Sequence, residues 1–119
     1  MTLHFTATAQ FKISGDAAQT SAQCFELTPD QQFKQGSVIS RQKLDIQKDF
    51  TIAVTMNFGR QNFTTSGADG IAFIMMTDTF IPVTGNGGGI GYEATPESLV
   101  VEFDTYQNDP NNDPAADHV

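Results

Sequence analysis

The sequence contains a single cysteine, Cys24, and no lysine or arginine after Arg60. One cysteine excludes an internal disulfide and does not identify a redox compartment, so we interpret Cys24 as a small buried apolar side chain. No apolar run approaches the ~20 residues of a membrane helix, and we expect no insertion into a membrane. The first residues lack the basic start and the apolar block of a secretory signal. We therefore expect either a processed protein or an internal piece of a longer one.

Charge is distributed unevenly along the chain. The net charge is −8, and all six basic residues lie within the first sixty positions, whereas nine carboxylates follow from residue 61 onward. Such a field repels nucleic acid and anionic lipid, so we expect neither as a partner. Carboxylates without basic neighbours favour neutralisation by bound metal cations. Ordinary solvation of an acidic surface is the alternative interpretation.

Apolar residues recur at every second position in several segments, which is the period of half-buried strands. Alternating segments cover residues 3–13, 50–58 and 99–103, and a continuous apolar run covers residues 71–76. Turn-forming stretches separate them, and no segment has a convincing helical period. The pattern predicts an all-β fold of short strands, typical of a sandwich. At 119 residues the chain is short for a large two-sheet sandwich, which often needs roughly 200–250 residues.

Most of the candidate metal-binding side chains lie between residues 101 and 118. Glu102 and Asp104 would project from one face of a strand, about 6.5 Å apart. The loop that follows can bring Asn108, Asp113 and His118 back over these two carboxylates. Oxygen ligands suit Ca²⁺, which takes ~6–8 of them, and one imidazole among carboxylates suits a transition ion such as Mn²⁺. The segment therefore predicts a site for two metal ions.

Simpler interpretations of this segment remain open. Residues 109–113 are Asp, Asn and Pro, which are favoured in turns for purely local reasons. On spacing alone, a turn without any metal is the more common explanation. A calcium-binding EF-hand fits poorly, because Pro114 occupies the position at which that loop needs a glycine.

Three segments of the second half resemble the legume-type lectin family. Residues 102–108, followed by Asp113-Pro114 and His118, are similar in residue type and spacing to the metal loop of that family. Residues 67–73 resemble its Ala-Asp-Gly segment, and residues 87–92 resemble its glycine loop. The three segments follow one another in the family's order. Residues 36–38 and 50–58 add a weaker similarity to bacterial members.

The resemblance implies the ligands of two metal ions and the contacts of a sugar. The transition ion, Mn²⁺, would be bound by Glu102, Asp104, Asp113 and His118. Ca²⁺ would be bound by Asp104, the carbonyl of Tyr106, Asn108 and Asp113. The sugar would be held by Asp69, an amide of the glycine loop (Gly88), Asn108 and the ring of Tyr106. The resemblance also implies a cis peptide bond between Ala68 and Asp69.

A retaining glycoside hydrolase of the family 16 type is the main enzymatic alternative, because such enzymes carry an acidic triplet on one strand of a similar sandwich. Glu102 and Asp104 match the first two positions, but Tyr106 or Gln107 stands where the closing Glu belongs. Retaining hydrolysis needs two carboxyl groups ~5–5.5 Å apart, one of which is a general acid, and glutamine cannot donate that proton. We therefore expect a binding protein rather than an enzyme. A calcium-stiffened structural module of an adhesin, with an inactive sugar site, is the third possibility.

The resemblance implies a concanavalin-like antiparallel β-sandwich, or jelly roll, of which residues 1–119 form the N-terminal part of a single lectin domain. The expected function is calcium- and manganese-dependent binding of glycans, in a secreted or cell-surface protein. We expect the chain to require the C-terminal half of the domain, in cis or from another chain, because unpaired strand edges promote association. A homo-oligomer is one form that such association could take.

Overall fold

The computed structural model describes residues 11–59, 67–77 and 85–119. Within these ranges the secondary structure consists of six strands and two short 3-10 turns, Gly87–Gly89 and Asp109–Asn111, with no α-helix. The strands are β1 (Phe11–Gly15), β2 (Ala18–Ser21), β3 (Cys24–Glu26), β4 (Gly36–Ser40), β5 (Gly70–Met76) and β6 (Ser98–Asp104). All pairings between them are antiparallel. The all-β antiparallel fold predicted from the sequence is confirmed.

The first four strands form two small ribbons. Strand β1 pairs with β4 from Phe11↔Ser40 to Gly15↔Gly36, and β2 pairs with β3. The rings of Phe11 and Phe25 pack edge to face with centroids 4.8 Å apart, which links the two ribbons. Strand β1 confirms the end of the strand predicted over residues 3–13, whose first part lies outside the described residues.

The pairing of β5 with β6 positions the candidate site. It runs without interruption from Gly70↔Asp104 to Met76↔Ser98. A Cβ on Gly70 would lie 2.3 Å from the carbonyl oxygen of Phe103, so only glycine permits the strands to approach this closely here. Asp69, immediately before β5, is thereby placed beside the end of β6 and its acidic residues.

Two predictions about the first half of the chain are wrong. Residues 50–58 form no strand, because no neighbouring segment of the described chain supplies the hydrogen-bonded partner that a strand needs. Cys24 is exposed rather than buried, since it lies in a two-stranded ribbon on which Phe25, but not Cys24, packs against the neighbouring ribbon. In both cases strand pairing and burial depend on packing that the local sequence pattern does not specify.

In the described chain, unlike in an ordinary domain, a charged side chain is more buried than any apolar one. None of its apolar side chains is fully buried, and the one buried side chain is the carboxylate of Asp104, which is 4% exposed. Apolar side chains of the 50–58 segment are open to solvent, among them Phe50, Ile52 and Val54. In the described residues no helix is both long and apolar enough to cross a membrane. The most buried side chain of the described residues is therefore a charged one.

Candidate functional site

The ends of β5 and β6 hold Asp69 in a fixed position beside Asp104. The peptide bond between Ala68 and Asp69 is cis, as predicted. The carbonyl oxygen of Asp69 accepts hydrogen bonds from the backbone N–H of Thr105 at 2.8 Å and from its hydroxyl at 3.1 Å. These two bonds fasten the residue before β5 to the residue after β6, so the Asp69 side chain starts from a well-defined backbone.

Asp104, Asp113 and His118 form a compact cluster of potential metal ligands. One ligand atom from each of the three lies within 4.8 Å of the others. His118 Nε2 is 3.8 Å from Asp104 Oδ2 and 4.0 Å from Asp113 Oδ1, which is too long for hydrogen bonds. Two atoms that share one ion at ~2.1–2.4 Å each lie at most about 4.2–4.8 Å apart. The spacing suits a cation placed between the three side chains.

Backbone pairing brings His118 to this cluster. The N–H of Asp104 donates to the carbonyl of His118 at 2.9 Å, and the N–H of His118 donates back to Asp104 at 3.0 Å. His118 Nδ1 lies 3.1 Å from the carbonyl oxygen of Ala116. Because a carbonyl can only accept, Nδ1–H donates to it, and Nε2 is the ring atom that faces the carboxylates and is placed to coordinate a cation. A metal-binding histidine is commonly oriented in this way.

The side chain of Asn108 contains a buried polar atom that makes no hydrogen bond within the described residues. That atom is the side-chain oxygen, Oδ1. A buried acceptor left unsatisfied costs about 1–3 kcal/mol, so such an atom calls for a donor or a cation. Its backbone N–H donates to Asp113 Oδ2 at 3.0 Å, which joins Asn108 to the ligand cluster. The residues present therefore fit a hard cation with oxygen ligands.

The carboxylate of Asp104 contacts both the backbone of Tyr106 and the ligand cluster. Asp104 Oδ1 accepts a hydrogen bond from the N–H of Tyr106 at 2.7 Å, while Oδ2 faces His118. The side chain of Tyr106 is 45% exposed. An exposed aromatic ring beside a polar site can pack on the apolar face of a sugar.

Glu102 lies outside the cluster formed by Asp104, Asp113 and His118. Its Oε2 accepts a hydrogen bond of 3.0 Å from the hydroxyl of Tyr92, and its role as a metal ligand stays a prediction. Burial, this hydrogen bond and the negative charges nearby raise the pKa of Tyr92. Sequence reasoning missed the contact of Tyr92 with Glu102, although Tyr92 belongs to the segment that resembles the glycine loop. The only indication of this contact in the sequence is the tyrosine that ends that segment.

The glycine loop, residues 87–92, covers Asn108 and approaches Asp69. A Cβ on Gly88 would lie 2.8 Å from Asn108 Oδ1, so a side chain at this position would displace the amide. A Cβ on Gly87 would lie 3.9 Å from Asp69 Oδ1. The structure thus brings together three of the predicted sugar contacts, Asp69, Gly88 and Asn108. Burial raises the pKa of Asp69, and the negative charge of Asp104 raises it further, so a nearby cation would offset both effects.

The antiparallel β fold therefore places a cluster of two carboxylates and a histidine beside Asp69, Gly88 and Asn108. The family model described as "Legume lectin beta-barrel domain" matches residues 4–119. The chain belongs to this family, the L-type lectins. Family membership supports carbohydrate binding and binding of metal ions, and the family is in general non-enzymatic.

One curated relative shows how such a segment occurs in a longer protein. Pesticidal crystal protein Cry22Aa of Bacillus thuringiensis is 32% identical over 78 residues, which is 66% of this chain and 10% of that protein. The chain therefore spans a small part of the relative's length. No solved structure matches the chain.

Proposed function

We propose that this chain binds glycans with the help of Ca²⁺ and Mn²⁺, as part of a lectin domain. The observation that carries the proposal is the convergence of Asp104, Asp113 and His118 beside an unsatisfied, buried Asn108 Oδ1. The glycine loop lies directly over that amide. A metal site and a sugar site would therefore share one residue, Asn108.

The donor set divides between the two ions according to ligand chemistry. Asp104, Asn108, Asp113 and the carbonyl of Tyr106 would hold Ca²⁺, because all of these ligands are oxygens. Glu102, Asp104, Asp113 and His118 would hold Mn²⁺, since a borderline ion accepts an imidazole among carboxylates. The ions supply positive charge that compensates the clustered carboxylates and fixes the loop. Both assignments follow the family resemblance, and the cluster of three ligands supports them.

The sugar would be recognised by groups that are already in place. Asp69 accepts hydrogen bonds from two hydroxyls, and its charge makes them stronger than neutral ones. The N–H of Gly88 can approach closely because no side chain intervenes. Asn108 would use its two ends for different partners, with Oδ1 as a ligand of the ion and the amide nitrogen as a donor to the sugar. Because these groups are already positioned, binding costs little conformational entropy, which favours affinity.

The exposed apolar side chains support the proposal that a further segment completes the domain. Phe50, Val54 and Phe58 are 37%, 57% and 44% exposed, and a sandwich would cover such side chains with a second layer. We propose that this layer comes from a C-terminal part of the same protein or from another chain, and a homo-oligomer is one way to provide it. The similarity to a segment of a much longer protein agrees with a module of this kind. An extracellular or cell-surface location belongs to the same proposal.

A glycan array probed with the protein that carries this chain tests the proposal. Binding in the presence of Ca²⁺ and Mn²⁺ should disappear with a chelator and return when the ions are restored. Asp69→Asn should abolish binding without changing the calorimetric heat of Ca²⁺ binding. A calcium-stiffened structural module would instead show metal-dependent thermal stability and no bound glycan, which would contradict the proposed function.

A further inference from the structure

Asn86, immediately before the glycine loop, is the one asparagine of the chain that a glycine follows. The other asparagines, at positions 57, 62, 108, 111 and 112, precede Phe, Asp or Asn. Asparagine is thermolabile because the backbone nitrogen of the next residue can attack its side-chain amide. A side chain on that next residue hinders the attack, whereas glycine has no Cβ and its nitrogen can approach closely. The sequence therefore singles out the Asn86-Gly87 peptide as the most reactive of the six.

The reacting groups of Asn86 and Gly87 are both open to water. Asn86 is the N-cap of the turn Gly87–Gly89, a position at which an asparagine side chain commonly accepts a hydrogen bond from a backbone N–H of the turn. No such bond forms here. Neither the Asn86 side chain nor the Gly87 N–H has a hydrogen-bond partner among the described residues, and both residues are exposed. The attacking nitrogen and its target are therefore uncommitted.

The backbone around this peptide is weakly held. Ring closure requires rotation about the Cα–C bond of Asn86, where ψ is 160°. The carbonyl oxygen of Asn86 accepts a hydrogen bond from the N–H of Gly89 at 3.4 Å, which is longer than the ~2.7–3.2 Å of ordinary backbone bonds. At the base of the loop, the N–H of Gly91 donates to the carbonyl of Gly85 at 3.2 Å. The rotation can therefore take place above this closure without separating β5 from β6.

The reaction that these groups allow is a cyclisation followed by hydrolysis. The nitrogen of Gly87 loses its proton to hydroxide and forms a bond to Cγ of Asn86. The Cγ–Nδ2 bond breaks, and Nδ2 takes a proton from water and leaves as ammonia. One water molecule then opens the five-membered succinimide: cleavage of its bond to Cγ gives aspartate, and cleavage of its bond to the backbone carbonyl carbon gives isoaspartate. The net change is one water consumed and one ammonia released, without oxidation or reduction.

Both products would alter the proposed sugar site. A Cβ on Gly87 would lie 3.9 Å from Asp69 Oδ1, and a Cβ on Gly88 would lie 2.8 Å from Asn108 Oδ1, so the loop that Asn86 precedes lies against two proposed sugar contacts. Aspartate adds a negative charge beside this loop, in a part of the chain that has no lysine or arginine. Isoaspartate adds a methylene carbon to the backbone before Gly87, which shifts the Gly88 N–H away from Asn108.

We propose that Asn86 deamidates spontaneously through Gly87, and that the products lower the affinity of the sugar site as the protein ages. The modification depends only on the chemistry of this loop, whereas its effect on affinity rests on the proposed lectin function. The lifetime of glycan binding is then set by one peptide bond rather than by unfolding of the domain.

Peptide mapping by mass spectrometry tests the modification. The protein that carries this chain is incubated at physiological temperature over a range of neutral to mildly alkaline pH. Asn86 should convert to aspartate and isoaspartate, and the rate should rise with pH because the attacking nitrogen must lose its proton. Asn57 is the internal control: it is also exposed, but Phe58 follows it and its Oδ1 accepts a hydrogen bond from the N–H of Gly59 at 2.9 Å. Conversion of Asn86 no faster than that of Asn57 would overturn the proposal.

Glycan binding by the same samples, with Ca²⁺ and Mn²⁺ present, tests the consequence. The amount of glycan bound at a fixed, subsaturating concentration should fall in proportion to the modified fraction of Asn86. Asn86→Gln is the matched variant, because its side chain would have to close a six-membered ring, which forms far more slowly. It should bind like fresh wild-type protein and keep its affinity throughout the incubation. Full affinity of modified wild-type protein, or an equal decline in the variant, would overturn the effect on the sugar site. Fresh wild-type protein that binds no glycan would instead contradict the proposed function, and the mapping would still decide whether Asn86 is modified.

Discussion

Replacing Asp104 by asparagine should have opposite effects on stability with and without metal ions. The Asn side chain keeps an oxygen that can accept the hydrogen bond from the N–H of Tyr106, so the local backbone contact is preserved. The substitution removes a charge that is 4% exposed and that raises the pKa of Asp69. With chelator, the variant should therefore be at least as stable as the wild type, because a buried like-charge repulsion has been removed.

With Ca²⁺ present, the wild type should be more stable than the variant. An ion that binds only the folded state stabilises it by ~2.7 kcal/mol when its concentration is 100 times the dissociation constant. At about 3–5 °C per kcal/mol for a domain of this size, the wild type should gain roughly 8–14 °C in Tm. The variant should gain little, because it has lost the carboxylate that belongs to both proposed ions.

Thermal unfolding of both proteins, with Ca²⁺ and with chelator, measures this difference directly. Asp117→Asn is the control, since Asp117 is exposed and lies outside the ligand cluster. An equal loss of stability in both conditions would show that Asp104 has a structural role that does not involve a cation, and the metal-site reasoning would fail. As an independent readout, the substitution should lower the pKa of Asp69 in the metal-free protein, as measured by NMR titration.

Three further predictions concern the loop, the tyrosine and pH. Gly88→Ala should weaken sugar binding by at least tenfold while Ca²⁺ calorimetry still detects an ion, because its Cβ would meet Asn108; unchanged sugar affinity would exclude the close approach. Tyr92→Phe should weaken Mn²⁺ binding by about 10–100-fold through loss of the hydrogen bond to Glu102, with unfolding in chelator little affected; equal destabilisation in both conditions would indicate a purely structural bond. With chelator, the raised pKa of Asp69 means that its stabilising contribution is complete below pH 3.8 and is lost as pH rises through the folded-state pKa. Stability curves of the wild type and Asp69→Asn should diverge over that interval, and parallel curves would contradict the shift.

The candidate site was more predictable from the sequence than the packing around it. Asp104, Asp113 and His118 converge as expected, because ligand spacing along a strand and its following loop is a local property. The cis peptide before Asp69 was also expected, but only from the family resemblance. The contact of Tyr92 with Glu102 was not foreseen, since it joins residues ten positions apart through a turn whose geometry no periodicity encodes.

The strand predicted over residues 50–58 failed for a different physical reason. Alternation of apolar side chains reports which face of a strand could be buried, but a strand exists only when a neighbour supplies hydrogen bonds. No described segment pairs with residues 50–58, and Phe50 and Ile52 remain exposed. The pattern therefore indicates that these residues could form a strand, and the structure shows whether a partner strand is present.

Burial of Asp104 connects the fold to the proposed function. A carboxylate removed from water is costly unless it is paired, and Asp104 is more buried than any apolar side chain in the described residues. Its described neighbours include the carboxylates of Asp113 and Asp69, which add repulsion, and the His118 ring, whose Nδ1 lies beside a carbonyl oxygen. A bound cation would offset both the cost of burial and the repulsion between the carboxylates. Because the backbone N–H of Asn108 donates to Asp113 and the Asn108 side chain lies under Gly88, ordering by the cation should extend to the sugar site, and glycan affinity should then follow metal occupancy.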